Sequence, residues 1–267
     1  MKTQSIIATT IISALLAIGV ATCSYAEDIV AKSYDIKNVE EVIVHGGGHL
    51  ELVQGDSESL RVEADREIME RVVVDQSGDK LTLNVKKSGN YFNFFHWFDN
   101  NNDEVKYILQ LKNMHHLGLH GASQAKLGDW VGTKLNVKGS GAAEVTFANV
   151  TLQDFTVELS GASNSRFQQL IADRASFNLS GAANVDAKAA GQLKRLKVDA
   201  SGASNFRCKL LKVSEADIDA SGASNIDLNV TDFLRAGASG ASSIRYLGQP
   251  KLKNNVSGAS HVNAIEK

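Results

Sequence analysis

Three groups of side chains in this 267-residue sequence could do chemistry. The first is histidine. His45 and His120 each stand immediately before a glycine, His49 follows His45 by four residues, and His115 and His116 are close by in sequence. If the segments of His45 and His120 stack as neighbouring strands, their imidazoles start about 5 Å apart. Three or four such ligands in a tetrahedral array would hold zinc. The alternative is a solvated polar ladder in which His replaces Ser. Histidines on neighbouring strands are a less specific signal than Cys-x-x-Cys pairs, so no metal is expected, and His45, His49 and His120 are the candidates if one binds.

The second group is aromatic. Tyr91, Phe92, Phe94, Phe95, Trp97 and Phe98 are six of the 17 aromatic residues and fall within eight positions, followed by Asp99 and three asparagines. Rings beside Asn and Asp suit a sugar ring, a partner's apolar surface or a membrane interface. They would equally serve as a lid hiding an open end of the fold from water. The third group is acidic: Glu158, Asp199 and Asp219 recur at one place in a repeat and could hold a cation or act as an acid–base pair. Scattered surface acids are the commoner meaning. The sequence has no Gly-x-Ser-x-Gly elbow, no phosphate loop and no His-Glu-x-x-His. No enzyme and no cofactor are expected, with a glycan hydrolase or lyase as the alternative.

The elements that position these groups follow from a repeat. Ser-Gly-Ala-Ser-Asn or a variant recurs with its glycine at Gly121, Gly141, Gly161, Gly181, Gly202, Gly222, Gly240 and Gly258, at intervals of 18 to 21 residues. Gly46 fits the same frame. Repeats at a near-constant period signal a solenoid, a propeller or an array. Within each repeat the even positions counted from the glycine are apolar or small (Phe155, Val157, Leu159; Phe206, Cys208), and the odd ones are mostly polar (Glu158, Asp199, Arg207). Period two means strands, not helices. The expectation is an all-β parallel β-helix with rungs of about 20 residues stacked about 4.8 Å apart. The glycines lie in the even frame, so they are expected where the interior pinches and a larger side chain would meet the rungs above and below. Cys208, in the same frame, is a small buried hydrophobe.

The odd positions form ladders. Serines precede the glycines. Asn164, Asn184, Asn205 and Asn225 follow by three and are expected to hydrogen-bond along the solenoid. Arg166, Asp186, Arg207, Asp227 and Arg245 follow by five and alternate in sign, as stacking in register requires. A repeated polar face of this kind could also recognise a repetitive ligand.

Composition agrees. A net charge of −2 excludes binding nucleic acid by bulk electrostatics. The 43% hydrophobic content supports a core, and two cysteines make no disulfide scaffold. The single proline, Pro250, fits a chain paired along most of its length, because proline removes a ladder N–H. Residues 1–26 read as a secretory leader: Lys2, an apolar run from Ile6 to Val20, and a small residue at Ala26. A lipid-modified Cys23 is the alternative. The run is too short and hydroxyl-rich to span a membrane, and no other span follows. The expected protein is one solenoid domain over 27–267, with an insert at 91–104, exported to the periplasm, outer surface or medium.

The Ser-Gly-Ala-Ser-Asn units resemble the putative auto-transporter adhesin, head GIN domain family of bacterial secreted proteins. The opening strand Val42–Gly55 and the strands Leu60–Ala64 and Lys80–Val85 resemble that family too, so the likeness covers about 36 to 265. The aromatic segment departs from it. The resemblance implies a β-helical surface or periplasmic module called an adhesin by analogy, and it brings no catalytic residues. The partner expected is a glycan or an envelope or surface protein. A self-assembling fibre subunit is the remaining alternative, since an uncapped solenoid end can recruit another chain.

Overall fold

The computed structural model describes residues 29–86 and 105–266. The leader expected at residues 1–26, with Cys23, and the aromatic residues Tyr91, Phe92, Phe94, Phe95, Trp97 and Phe98 lie outside the described residues. Strands β7 (His116–Leu127), β8 (Trp130–Gly141), β9 (Glu144–Leu159) and β10 (Asn164–Leu179) follow β1 to β6 of an N-terminal cap. They continue into β11 (Asn184–Ala187), β12 (Gly191–Ala200), β13 (Asn205–Ala220), β14 (Asn225–Ala238), β15 (Ser243–Leu247), β16 (Lys251–Val256) and β17 (His261–Ala264). From β7 onward every pairing is parallel, and together these strands form a β-solenoid of about seven turns. The register is the repeat itself: Asn164 pairs with Asn184, Asn184 with Asn205, and Asn205 with Asn225.

Alternation across a strand puts the even residues inside. Phe155, Val157 and Leu159 are buried, as are Leu196, Val198 and Ala200 a few rungs on. Large and small residues take turns where rungs crowd: Phe155, Ala175, Leu196, Ala216 and Leu234 succeed one another on facing strands. Cys208 is fully buried, and burial pushes its thiol pKa well up, so it packs as an inert hydrophobe.

The N-terminal end is built out of chain order. β2 (Glu41–Gln54) is one rung, and β7 stacks on it in parallel from Glu41↔His116 to Leu52↔Leu127. On its other side lie β5 (Lys80–Val85) and β6 (Lys106–Leu111), also parallel. The antiparallel strands β3 (Ser59–Asp65) and β4 (Val72–Ser77), helix α1 (Arg66–Met69) and β1 (Ile29–Tyr34) complete the cap. At the other end β16 and β17 each pair on one side only among the described residues. Leu252 and Val256 there are 40% and 41% exposed.

The glycine column differs from the sequence expectation. Gly141, Gly161, Gly181, Gly202 and Gly222 are exposed, with φ between +71° and +85°, and stand at the corner where one strand turns into the next. The interior pinch is two residues later, at Ala143, Ser163, Ala183, Ser204 and Ser224, all buried. Each glycine carbonyl accepts the N–H of the alanine one rung on: Gly161 from Ala182, Gly181 from Ala203, Gly202 from Ala223. The following buried serine locks the corner from inside, its hydroxyl donating to the carbonyl three residues back: Ser163 to Ser160, Ser204 to Ser201 and Ser224 to Ser221, each at 2.8 Å.

The charged column is also more selective than its alternation suggests. Arg245 holds Asp227 through two hydrogen bonds of 2.7 and 2.9 Å, and Arg207 reaches Asp186 at 3.7 Å, but Arg166 turns to Glu144 instead of Asp186. Only 9% of the Asp227 side chain is exposed, and Lys209 is a weaker second partner at 3.6 Å. Arg245→Ala is expected to cost about 2 kcal/mol, since it strands a mostly buried carboxylate. Arg166→Ala, whose Glu144 partner is solvated, should cost under about 1 kcal/mol. Paired chemical-denaturation curves check the difference.

Candidate functional site

One side of the solenoid carries three outward columns, five, three and one residues before each corner glycine. Between the last two runs a groove of about 710 Å³, open along its length. The serines Ser140, Ser160, Ser180, Ser201, Ser221, Ser239 and Ser257 form one wall, and Lys138, Glu158, Asn178, Asp199 and Asp219 stand opposite. Buried Leu159, Leu179, Ala200 and Ala220 line it between them. The rung spacing thus offers a serine hydroxyl every ~4.8 Å, with a polar side chain opposite on each of these rungs except that of Gly237.

The hydroxyls are only loosely engaged. Ser160, Ser180, Ser201 and Ser221 donate to the carbonyl of the rung below at 3.3 to 3.5 Å, the weak end of hydrogen bonding. Their lone pairs remain for a ligand, and their protons can be redirected. Asn164, Asn184, Asn205 and Asn225 lie past the corner and do not line the groove. Asn184 donates to Asn164 Oδ1 at 3.0 Å, Asn205 to Asn184 at 2.9 Å and Asn225 to Asn205 at 3.2 Å, so their amides are spent on one another.

Glu158, Asp199 and Asp219 all line the groove, but they are not equivalent. Lys138 pairs with Glu158 at 3.0 Å and Lys197 with Asp199 at 2.9 Å. Asp219 leans over Gly237, where an added Cβ would collide with its carboxylate. Asp199 and Asp219 are register partners on adjacent strands.

At the cap end the same face carries the histidines. His45 pairs with His120, and their rings stack with centroids 5.0 Å apart and planes at 16°. His120 Nδ1 lies 2.8 Å from Ser140 Oγ, the first serine of the groove. His116 is two residues from Gly118 on the same face, a position the repeat frame could have shown had His116 been counted with the column. His115 instead faces Glu40, 3.0 Å away. Burial, chiefly, holds His116 and His120 below the ordinary imidazole pKa, with His45, His116 and Lys80 adding to the effect on His120. Among the described residues no three His, Cys, Asp or Glu side chains stand in ready coordination geometry. No helix among them is long and apolar enough to cross a membrane.

Solved structures share this architecture. A lipid binding protein, so described with the qualifier putative, from Parabacteroides distasonis superposes with a TM-score of 0.80 at 18% identity, over 90% of this chain and 98% of that one. A putative adhesin from Parabacteroides merdae gives 0.78 at 17% over the same shares, and another from P. distasonis gives 0.76 at 16%. At these identities the likeness shows the fold alone. No curated protein matches the sequence. The family described as putative auto-transporter adhesin, head GIN domain, matches residues 38–250, which takes in β2 and the corner glycines from Gly46 to Gly240. With the repeat, the solenoid and that match in agreement, this chain is a member of the head GIN domain family.

Proposed function

We propose that this protein is an exported, non-catalytic binding module of the cell envelope, and that it holds an extended glycan in the serine-walled groove. The observation that carries the reading is the groove itself: an open channel with a row of serine hydroxyls facing a row of mostly polar side chains, shaped for a linear polymer rather than for a small enclosed substrate. The family's description and the leader-like sequence of residues 1–26 support the location. Tyr91, Phe92, Phe94, Phe95, Trp97 and Phe98, which lie outside the described residues, would add aromatic faces for sugar rings. The pairing of Asp199 with Lys197 speaks for binding over acid–base hydrolysis, because it leaves no isolated pair of carboxyls. Lys251 and Lys253 on the exposed end strand β16 discourage end-to-end fibre growth.

The test is affinity for a panel of polysaccharides and for intact envelopes. Replacing Asn178 and Asp219 together by alanine should weaken binding at least tenfold with the fold intact. Changing Phe94, Phe95, Trp97 and Phe98 to serine should do the same if these rings contact the ligand. Unfolding of the second variant would assign the rings to a lid. Glycan turnover abolished by Asp199→Asn would replace this reading with an enzyme, and unchanged binding by the groove variant would remove the groove from it.

A further inference from the structure

Five of the seven histidines lie on or beside β2 and β7, the strands that join the cap to the solenoid. These strands pair from Glu41↔His116 to Leu52↔Leu127, and β7 carries β8 and β9 on its other edge, so this ladder is the joint. One residue before the corner glycine the later rungs carry serine, from Ser140 to Ser257, whereas the two rungs at the joint carry His45 and His120. Those two rings stack with centroids 5.0 Å apart. His116 stands on the same face of β7. The Ile43 side chain fills the space over Gly118 between His116 and His120: a Cβ built on Gly118 would lie 2.6 Å from Ile43 Cδ1, 3.5 Å from His120 Nε2 and 3.8 Å from His116 Nε2. An apolar group thus occupies the place between the two rings.

We propose that this cluster makes the joint acid-sensitive: protonating the imidazoles below neutral pH loosens the β2–β7 ladder and frees the cap, while the later, serine-bearing rungs stay closed. The charges around the cluster leave no countercharge to spare. Glu41, the register partner of His116, is taken by Lys80 on β5 at 3.3 Å, and Glu158 on β9 by Lys138 on β8 at 3.0 Å. On His116 these carboxylates and lysines act in opposite directions, so burial, the largest influence, holds the imidazole below its ordinary pKa. His120 is held down by burial first, then by His45, His116 and Lys80. Its Nδ1 lies 2.8 Å from Ser140 Oγ, a partner without charge. Protonating both members of the stack would set two like charges 5.0 Å apart. His49, further along β2, pairs in register with Gln124. His115 has the opposite sign: it faces Glu40 at 3.0 Å, so acid strengthens that contact and works against the loosening. Once the joint opens, His116 and His120 return to the ordinary imidazole value of about 6.5. Below that pH the open state takes up more protons than the closed one, so stability falls as acid is added.

The experiment is backbone hydrogen exchange on the whole chain at pH 7.5 and 5.0, corrected for intrinsic exchange, with β13 and β14 as internal reference. Between the two pH values the opening constant of β2 and β7 amides should rise about tenfold more than that of the reference, the equivalent of one unit of pKa. Replacing His45 and His120 together by serine, the residue of the later rungs, should cut that excess to under about threefold. If the double variant does not fold, His45→Ser alone, which keeps the contact of His120 with Ser140, makes the same comparison. Proton NMR should show His120 titrating below the ordinary imidazole range in the wild type and closer to it in His45→Ser. His115→Gln should leave the acid response at least as large as in the wild type. An acid response equal in wild type and serine variant, one shared evenly by the reference strands, or a His120 titration unmoved by His45→Ser would overturn the proposal. No ligand enters these readouts, so they are independent of the glycan reading.

Discussion

Gly181→Ala should unfold the middle of the solenoid, at a cost of about 3–5 kcal/mol, among the largest expected of a single substitution here. Two separate causes add. The residue has φ +76°, a conformation that costs an L side chain about 1 kcal/mol or more. The new methyl would also lie 2.6 Å from the Gly161 carbonyl oxygen and 3.1 Å from the Gly161 nitrogen. Neither neighbour is a flexible side chain that can move aside. The Gly161 carbonyl already accepts the Ala182 N–H at 2.8 Å, so relief means opening the rung spacing and losing that bond. Gly46→Ala separates the causes. Gly46 has φ +89° but no atom within 4 Å of the added methyl, so only the conformational part remains, about 1 kcal/mol. Chemical denaturation of the two variants should differ by 2 kcal/mol or more. Equal losses would mean that the column exists for its φ alone and that rung contact at the corner is unimportant.

That contrast marks where the sequence was readable and where it was not. Side chains alternate across any strand, so Phe155, Val157 and Leu159 announce their burial locally, and the stacking of Asn164 on Asn184 follows once the period is known. The glycines obey the same count but not the same geometry. A residue at positive φ turns the chain, so counting by twos across it puts Gly181 inside when it stands exposed at the corner. The placing of β2 between β5–β6 and β7 was hidden for another reason: a strand with apolar residues inside accepts partners on either edge, and the choice is made by distant chain. The groove was half visible. Its serine and acidic columns were legible as rows, but which acids are neutralised depends on Lys138 and Lys197 bending toward them.

Phe167→Ala should be the costliest change in the core, about 3–5 kcal/mol. Its ring stacks on Phe147 with centroids 4.7 Å apart and planes at 5°, and meets Phe155 and Phe177 edge-on at 5.5 and 6.1 Å. The surroundings cannot fill the hole. Its register partner on the far side is Ala187, and Ala175 replaces Phe155 one rung on. With no larger side chain able to swing in, the cavity persists, and persistent cavities lie at the expensive end of large-to-small substitutions. Phe206→Ala is the comparison: among the described residues its ring meets one other aromatic ring, Phe177, at 5.0 Å, with Ile226 as its register partner on the next rung, so it should cost less. A solenoid coheres through nearest-neighbour contacts. The lesion at Phe167 therefore acts on the joint between β9 and β10, and hydrogen exchange should show the rungs on either side losing protection independently, whereas in the wild type they open together. A loss under 1 kcal/mol, with uniform protection retained, would mean that the aromatic stack is ornamental and that backbone ladders alone bind the rungs.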